Sequence, residues 1–226
     1  MISIKNSKIL VTGGAGFIGG HLVAELVKSG ARVIVVDIEV NSRSTFALND
    51  LRSKVILEFV DIRDRKKVFS VFKKYRPAYV LHLAADPIVA SAYNDPYNAF
   101  ETNIMGTVNV LEAARATKSI KGIIVASSDK AYGKTDKAYT EESPLRADHP
   151  YHVSKASTDL ISQAYFKTYG LPVVITRFGN VYGEGDFHFG RIIPDICKSV
   201  VKKETLLIRS DGSYVRDYIY VDDVVN

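Results

Sequence analysis

A chain of 226 residues, 46% hydrophobic and 24% charged, is long enough to bury one full α/β core and to leave residues for a second, smaller lobe. Its formal charge of +5 is a mild excess without a long basic run, and the densest basic stretch, Arg63 to Arg76, alternates with Val68, Phe69, Val71 and Phe72 as a solvated helix face does, so no nucleic-acid partner is expected. A single cysteine, Cys197, excludes an intrachain disulfide framework, no Cys/His spacing suggests a metal, and neither a signal peptide nor a bilayer-length apolar run is present; the expectation is a cytoplasmic protein with no membrane partner.

In chain order, the apolar run Lys8 to Val11 predicts a strand, followed by the turn Thr12-Gly13-Gly14-Ala15-Gly16-Phe17-Ile18-Gly19 and an amphipathic helix with Ile18, Leu22, Val23, Leu26 and Val27 at helical spacing. Glycines there remove Cβ atoms where the chain turns sharply and where a pyrophosphate must approach the main chain, and the helix start offers unpaired N–H groups to an anion. The second strand, Ala31 to Val36, ends in Asp37, placed to accept hydrogen bonds from ribose hydroxyls and to repel a 2′-phosphate, which favours NAD over NADP. The structural alternative is a glycine turn that only packs a helix on a sheet.

A polar loop, 41–50, with room for a short helix before Val55, is followed by strands predicted over Val55 to Val60, Tyr79 to Ala85, Ile120 to Ala126 and Pro172 to Phe178. Helices are predicted over Asp64 to Tyr75, from Asp95-Pro96 to about Thr117, and over Pro150 to Tyr169 with Gly170 as the stop. This alternation predicts a Rossmann-type doubly wound parallel sheet, residues 1–178, and ligands of such sheets lie beyond the carboxyl ends of the strands. Asp37, Asp61, the run Ser127 to Lys130 and Asn180 all follow strand ends. Tyr151 and Lys155, four residues apart, share one helix face, where an ammonium lowers the pKa of a phenol and fits it to take a proton from an alcohol as hydride leaves the same carbon. Lys155 is also suited to hold a nicotinamide ribose.

The motifs TGGAGFIG at Thr12, HLAA at His82, NIMGT at Asn103, SSDKAYG at Ser127, YHVSK at Tyr151, RFGNVYG at Arg177 and RDYIYVDDV at Arg216 resemble, in order, the extended short-chain dehydrogenase/reductase family, in particular its nucleotide-sugar epimerases and dehydratases. The resemblance implies a catalytic Ser128, Tyr151 and Lys155, and an NAD site made of Gly13, Gly16, Phe17, Ile18, Gly19, Asp37, Asp61, Ile62, Leu83, Ala84 and Ala85 with Tyr151 and Lys155. It also implies a nucleotide-diphosphate hexose bound by Asn180, Arg191 and Arg216, and a homodimer. Asn103 is read as a structural helix residue.

A 4-epimerase of this family needs only Ser128, Tyr151, Lys155 and NAD. A 4,6-dehydratase needs two more groups, a base for the C5 proton and an acid for the departing C6 hydroxyl, and Asp129-Lys130 directly follow Ser128. The Ser-Asp-Lys form is most similar to the CDP-glucose 4,6-dehydratases, so dehydration is favoured over epimerisation and over a non-catalytic NAD-binding regulator. Family members continue for roughly another hundred residues, a common domain size; the resemblance therefore implies that 179–226 is an incomplete start of the substrate lobe.

Overall fold

The computed structural model describes residues 4–135, 138–208 and 210–226. Six parallel strands, β1 (Lys8–Thr12), β2 (Arg32–Asp37), β3 (Ile56–Phe59), β4 (Tyr79–His82), β5 (Gly122–Ala126) and β6 (Val173–Thr176), stand in the order β3-β2-β1-β4-β5-β6. The order reverses between β1 and β4, and the crevice beyond their carboxyl ends is where such sheets take ligands.

Alternation along each strand divides the core between the two faces of the sheet. Leu10 registers with Ile34 and Val80, and these pack with Val68, Val71 and Phe72 of α3 (Arg65–Tyr75). On the other face Ile9, Val11, Val33 and Val35 meet Val23 and Leu26 of α1 (Phe17–Lys28) and Phe46 of α2 (Thr45–Leu48). Each fully buried Leu, Ile, Val or Phe contributes about 1.5–3 kcal/mol relative to exposure. Both faces of the sheet are covered by helices.

Local chemistry sets the helix limits. Asp64 accepts from the Lys67 N–H at 3.0 Å and caps α3. α4 (Val89–Asn94) comes next, then Asp95 accepts from the Asn98 N–H at 3.0 Å and Pro96 opens α5 (Pro96–Phe100). α7 (Pro150–Tyr169) stops at Gly170, whose φ of +66° suits glycine. The expected helix from Pro96 to Thr117 is interrupted: α5 passes through a π-helical turn, Glu101–Met105, into α6 (Gly106–Arg115). The cause is visible at Asn103, whose carbonyl accepts two side-chain hydroxyls, Thr107 Oγ1 at 2.6 Å and Thr158 Oγ1 at 3.0 Å.

Two other expectations are corrected, at the fourth strand and at Asn180. The fourth strand ends at His82 rather than Ala85, since only Leu83 N–H keeps a sheet bond, to Thr12 O, before the chain turns away. The short helix expected before Val55 is α2, capped by Ser44. Asn180 begins a further strand, β7 (Asn180–Tyr182), which pairs in parallel with β8 (Tyr218–Tyr220) as a separate two-stranded sheet, joined through α8 (Ile192–Lys202) and followed by α9 (Val221–Val225).

Candidate active site

One cleft of about 1310 Å³ opens at the carboxyl ends of the strands. It is lined by the residues expected for a dinucleotide, Gly13, Gly16, Phe17, Ile18, Gly19, Asp37, Asp61, Ile62, Leu83, Ala84 and Ala85, together with Ser128, Asp129, Lys130, Tyr151, Lys155, Asn180 and Arg191. Arg216 is not among them. It lines a smaller neighbouring cavity with Asn180 and Arg191, and its guanidinium donates to the Val215 carbonyl and lies over the Tyr214 ring.

The turn fits a dinucleotide. Gly13 has φ +70°, and a Cβ there would meet the Ala84 nitrogen at 2.7 Å; a Cβ on Gly19 would collide with the Gly13 carbonyl, so both glycines bring turn, helix and β4 exit into contact. No side chain caps the start of α1, which leaves its first N–H groups facing the cleft. Asp37 accepts from the Ala15 N–H at 2.9 Å and the Ile38 N–H at 2.8 Å, while burial, the largest influence, raises its pKa against the pull of these bonds. At the far wall the Asp61 carboxylate is already held by Arg63, at 2.9 Å to Nε and 2.6 Å to Nη2, which keeps its pKa low. Arg63, also a lining residue, was not foreseen; its place two residues after Asp61 at a strand end is the signal that pointed to it.

Ser128 stands at the end of β5 and organises the reacting end. Its hydroxyl donates to Asp129 Oδ1 at 3.0 Å and accepts from the Lys130 N–H at 3.2 Å. Asp129 and Lys130 form an ion pair at 2.5 Å with side chains only 19% and 27% exposed. The phenol of Tyr151 departs from expectation. Burial pushes its pKa up to about 12; the hydrogen bond with Ser128 and the charge of Arg191 pull it down, and the Asp129 and Asp86 carboxylates push it further up. The Lys155 ammonium donates to the Ala126 carbonyl at 2.9 Å, and burial lowers its pKa to about 8. Desolvation of the phenol thus outweighs the groups that lower its pKa, and the lowering expected from the Tyr-x-x-x-Lys spacing is not realised.

Behind this site runs a buried chain of hydrogen bonds. Thr107 Oγ1 spends its single proton on the Asn103 carbonyl, so it must accept from His82 Nε2 at 2.9 Å; His82 Nδ1 then accepts from Thr12 Oγ1 at 2.6 Å. His82 is therefore the neutral Nε2–H tautomer, in line with a pKa lowered to about 3 by burial and by Lys155. The Asn103 amide holds both backbone groups of Asp86, N–H at 2.7 Å and C=O at 3.1 Å, and donates to Ser154 Oγ at 2.9 Å, which in turn donates to the Tyr151 carbonyl at 2.7 Å. The dinucleotide turn, the β4 exit and the first turn of α7 are locked together. Asp86 itself lines the cleft and was missed by sequence reasoning, although it follows the HLAA run at a strand end.

Arg191, expected on the substrate, pairs with Asp186 at 2.7 Å and donates to the Val181 carbonyl at 2.5 Å. Among the described residues no group of three or more His, Cys, Asp or Glu side chains is placed to hold a metal, and no helix is long and apolar enough to cross a membrane.

A six-stranded sheet of this order, a glycine turn with a carboxylate after β2, and a Ser-Tyr-Lys set lining one cleft are the features of a dinucleotide-binding α/β fold. Residues 9–226 match the model of the NAD dependent epimerase/dehydratase family, and the chain belongs to that family, whose cofactor is NAD. It is 36% identical to a dTDP-glucose 4,6-dehydratase of Neisseria meningitidis over 96% of this chain and 64% of that relative. Its structure is similar to that of a UDP-glucose 4-epimerase from Thermotoga maritima with UDP-glucose (TM-score 0.88, 35% identity, 96% of this chain and 71% of that one). It is also similar to a dTDP-glucose 4,6-dehydratase from Streptomyces venezuelae with NAD bound (TM-score 0.87, 33% identity, 96% and 69%). The chain spans about two thirds of the length of these proteins.

Proposed function

We propose that this protein is an NAD-dependent nucleotide-hexose 4,6-dehydratase, with 1–178 as its cofactor domain and 179–226 as the start of its substrate lobe. The observation that carries the reading is the Asp129–Lys130 ion pair, 2.5 Å long and set beside Ser128 in the cleft of Tyr151. Epimerisation at C4 has no use for it.

Bound along the glycine turn, with Asp37 on the adenosine ribose, NAD supplies the hydride acceptor for C4 and the donor for C6. The chain's own residues move the protons. Tyr151, in the same cleft as Ser128, takes the C4 hydroxyl proton as its phenolate and ends as the neutral phenol, and the buried Lys155 orients the cofactor's ribose and stabilises the phenolate that must form first. Once C4 is a ketone, the C5 hydrogen is acidic. Transfer of one proton from Lys130 to Asp129 converts the ion pair into a neutral amine and a carboxylic acid, side by side. The amine takes the C5 proton while the acid protonates the leaving C6 hydroxyl, water departs, and Lys130 gives its proton back to C5 as C6 is reduced.

Asp129→Asn keeps the shape of the acid and removes its proton. Water elimination is expected to fall by about 10²–10⁴-fold while C4 oxidation, read as cofactor reduction with bound substrate, persists. Intact elimination in this variant would remove Asp129 from the mechanism.

The nucleobase is approached from two sides. The Ser-Asp-Lys run favours CDP-glucose by resemblance; the Neisseria and Streptomyces proteins, named for dTDP-glucose, favour thymidine, and the CDP preference finds no support in them. Incubation with NAD and a panel of dTDP-, CDP-, UDP- and GDP-hexoses, followed by product mass, tests both points. Loss of one water establishes dehydration and names the nucleotide. An isomer of unchanged mass establishes the second reading, a 4-epimerase, which the similarity to the Thermotoga enzyme favours.

Asp37 sets the cofactor. Asp37→Asn retains an acceptor for the Ala15 N–H but loses the charge, so NAD affinity is expected to drop about tenfold, the worth of one charged hydrogen bond, and discrimination against NADP to shrink by more. Calorimetric titration with both dinucleotides measures this; an unchanged NAD to NADP ratio would refute the assignment. A homodimer through the helices of 96–117, which expose Tyr97 and Met105, and α7, which exposes Leu160, Phe166 and Tyr169, completes the proposal.

A further inference from the structure

The charges that line the cleft are unevenly matched. Its cationic side chains are engaged: Arg63 with Asp61 at 2.6 Å, Lys130 with Asp129 at 2.5 Å, Arg191 with Asp186 at 2.7 Å. Lys155 is buried and donates to a backbone carbonyl. Among the described residues Asp86 has only neutral partners. Ser91 Oγ donates to its Oδ2 at 2.8 Å, Asn98 Nδ2 reaches the same oxygen at 3.4 Å, and Oδ1 has a single long contact, from the Ile88 N–H at 3.4 Å. A carboxylate accepts about four hydrogen bonds, so Oδ1 keeps capacity to spare.

The position of this carboxylate is fixed. The Asn103 amide holds the Asp86 backbone at both its N–H and its C=O, and through Ser154 the same amide holds the Tyr151 carbonyl. Asp86 and Tyr151 line the same cleft, and the Asn103–Ser154 link sets the carboxylate on the wall that Tyr151 also lines. A carboxylate that is rigid, unpaired by any cation and turned to a cleft recognises hydroxyl donors and repels anions.

We propose that Asp86 selects the sugar: it accepts a hydrogen bond from a ring hydroxyl of a neutral hexose and excludes nucleotide sugars that carry a carboxylate at C6. The inference rests on the nucleotide-hexose reading above. It also gives that reading chemical sense, because a hexuronate has no C6 hydroxyl to eliminate.

The test is calorimetric binding to NAD-loaded protein, native and Asp86→Asn, of the nucleoside diphosphate alone, its glucose ester and its glucuronate ester, in the thymidine, uridine and cytidine series. The asparagine is isosteric and keeps the Ser91 and Asn103 bonds. Native protein is expected to favour the glucose ester over the glucuronate by about thirtyfold or more, as like-charge exclusion requires. The variant is expected to bind the free nucleotide within about twofold of native, to bind the glucose ester about five- to tenfold more weakly, and to lose most of the discrimination. An unchanged ratio in the variant, or no preference in the native protein, overturns the proposal. The outcomes separate the two readings: isomer formation with a variant that loses discrimination removes dehydration and keeps Asp86, dehydration with an unchanged ratio does the reverse, and binding of no nucleotide sugar removes both.

Discussion

Lys155→Met is expected to make the protein more stable and nearly inactive. The ammonium of Lys155 is buried, and burial lowers its pKa to about 8. In the unfolded chain a lysine titrates near 10.4, and each unit of difference corresponds to about 1.4 kcal/mol, so at pH 7 the charged group costs the fold up to about 3 kcal/mol. A methionine of similar length removes that cost and forfeits the hydrogen bond to the Ala126 carbonyl, worth about 1 kcal/mol. The variant should therefore gain about 1–2 kcal/mol at pH 7 by difference.

The sign of the pH dependence is fixed by the same shift. Between about pH 8 and the unfolded value the unfolded chain binds more protons than the folded one, so native stability rises with pH across that window. The methionine variant has no such rise, and its advantage should vanish by the top of the window. Turnover meanwhile should fall by about 10²–10⁴-fold, because the group that offsets the Tyr151 phenolate is gone. Denaturant melts without added NAD, at pH 7 and pH 10, together with turnover assays, decide the matter. A variant less stable than native at pH 7, or one that turns over normally, would show that the ammonium is an ordinary structural donor.

That trade is a property of burial, and burial is what the sequence conveyed least. Strand positions were legible because alternating apolar residues and glycine turns are local signals: β1, α1 and β2 follow from Lys8 to Asp37 almost to the residue. Apart from Arg216, the expected site residues line one cleft, because in this sheet order every strand-end loop after β1, β4 and β5 opens on the same side. What escaped was pairing at a distance. Nothing local announces that Arg177 occupies Asp159, or that a threonine fifty-five residues away meets the Asn103 carbonyl at the π turn. β7 and β8 escaped for a related reason: three-residue strands carry no period, and their partnership spans the whole of α8. The phenol of Tyr151 illustrates the general point. Spacing correctly put it on the face of Lys155, but its acidity is set by the walls around it.

Arg177 is where fold and site depend on one long-range pair, and Arg177→Met is expected to be the most destabilising change considered. Its guanidinium grips Asp159 of α7 with Nε at 2.6 Å and Nη2 at 3.1 Å, and the aspartate side chain is wholly buried. The remaining nitrogen, Nη1, donates to the Tyr132 hydroxyl at 2.7 Å and to the Glu141 carbonyl at 3.0 Å. One side chain thus ties the end of β6 to the helix of Tyr151 and Lys155 and to the segment that begins with Asp129. Removing it leaves a buried carboxylate whose one remaining side-chain donor among the described residues is Gln163, at 2.7 Å. Stripping one partner from such a pair costs about 3–5 kcal/mol. For a chain of this size that lowers the melting temperature by about 10 °C.

The charge is only part of the matter, because a lysine would keep it and lose the fork. Arg177→Lys should fall between native and methionine, satisfying Asp159 at one point and releasing Tyr132 or Glu141. The double change Arg177→Met with Asp159→Leu should recover most of the stability, since two apolar groups leave no orphaned charge. It should not recover activity to the same degree: Asp129 and Lys130 would still have lost the Tyr132 anchor that follows them. Melting temperatures and turnover of the single and double variants separate these terms. If the double variant regains turnover in step with stability, the pair serves the fold alone; if stability returns and turnover does not, Arg177 holds the proton-transfer segment in register with Tyr151.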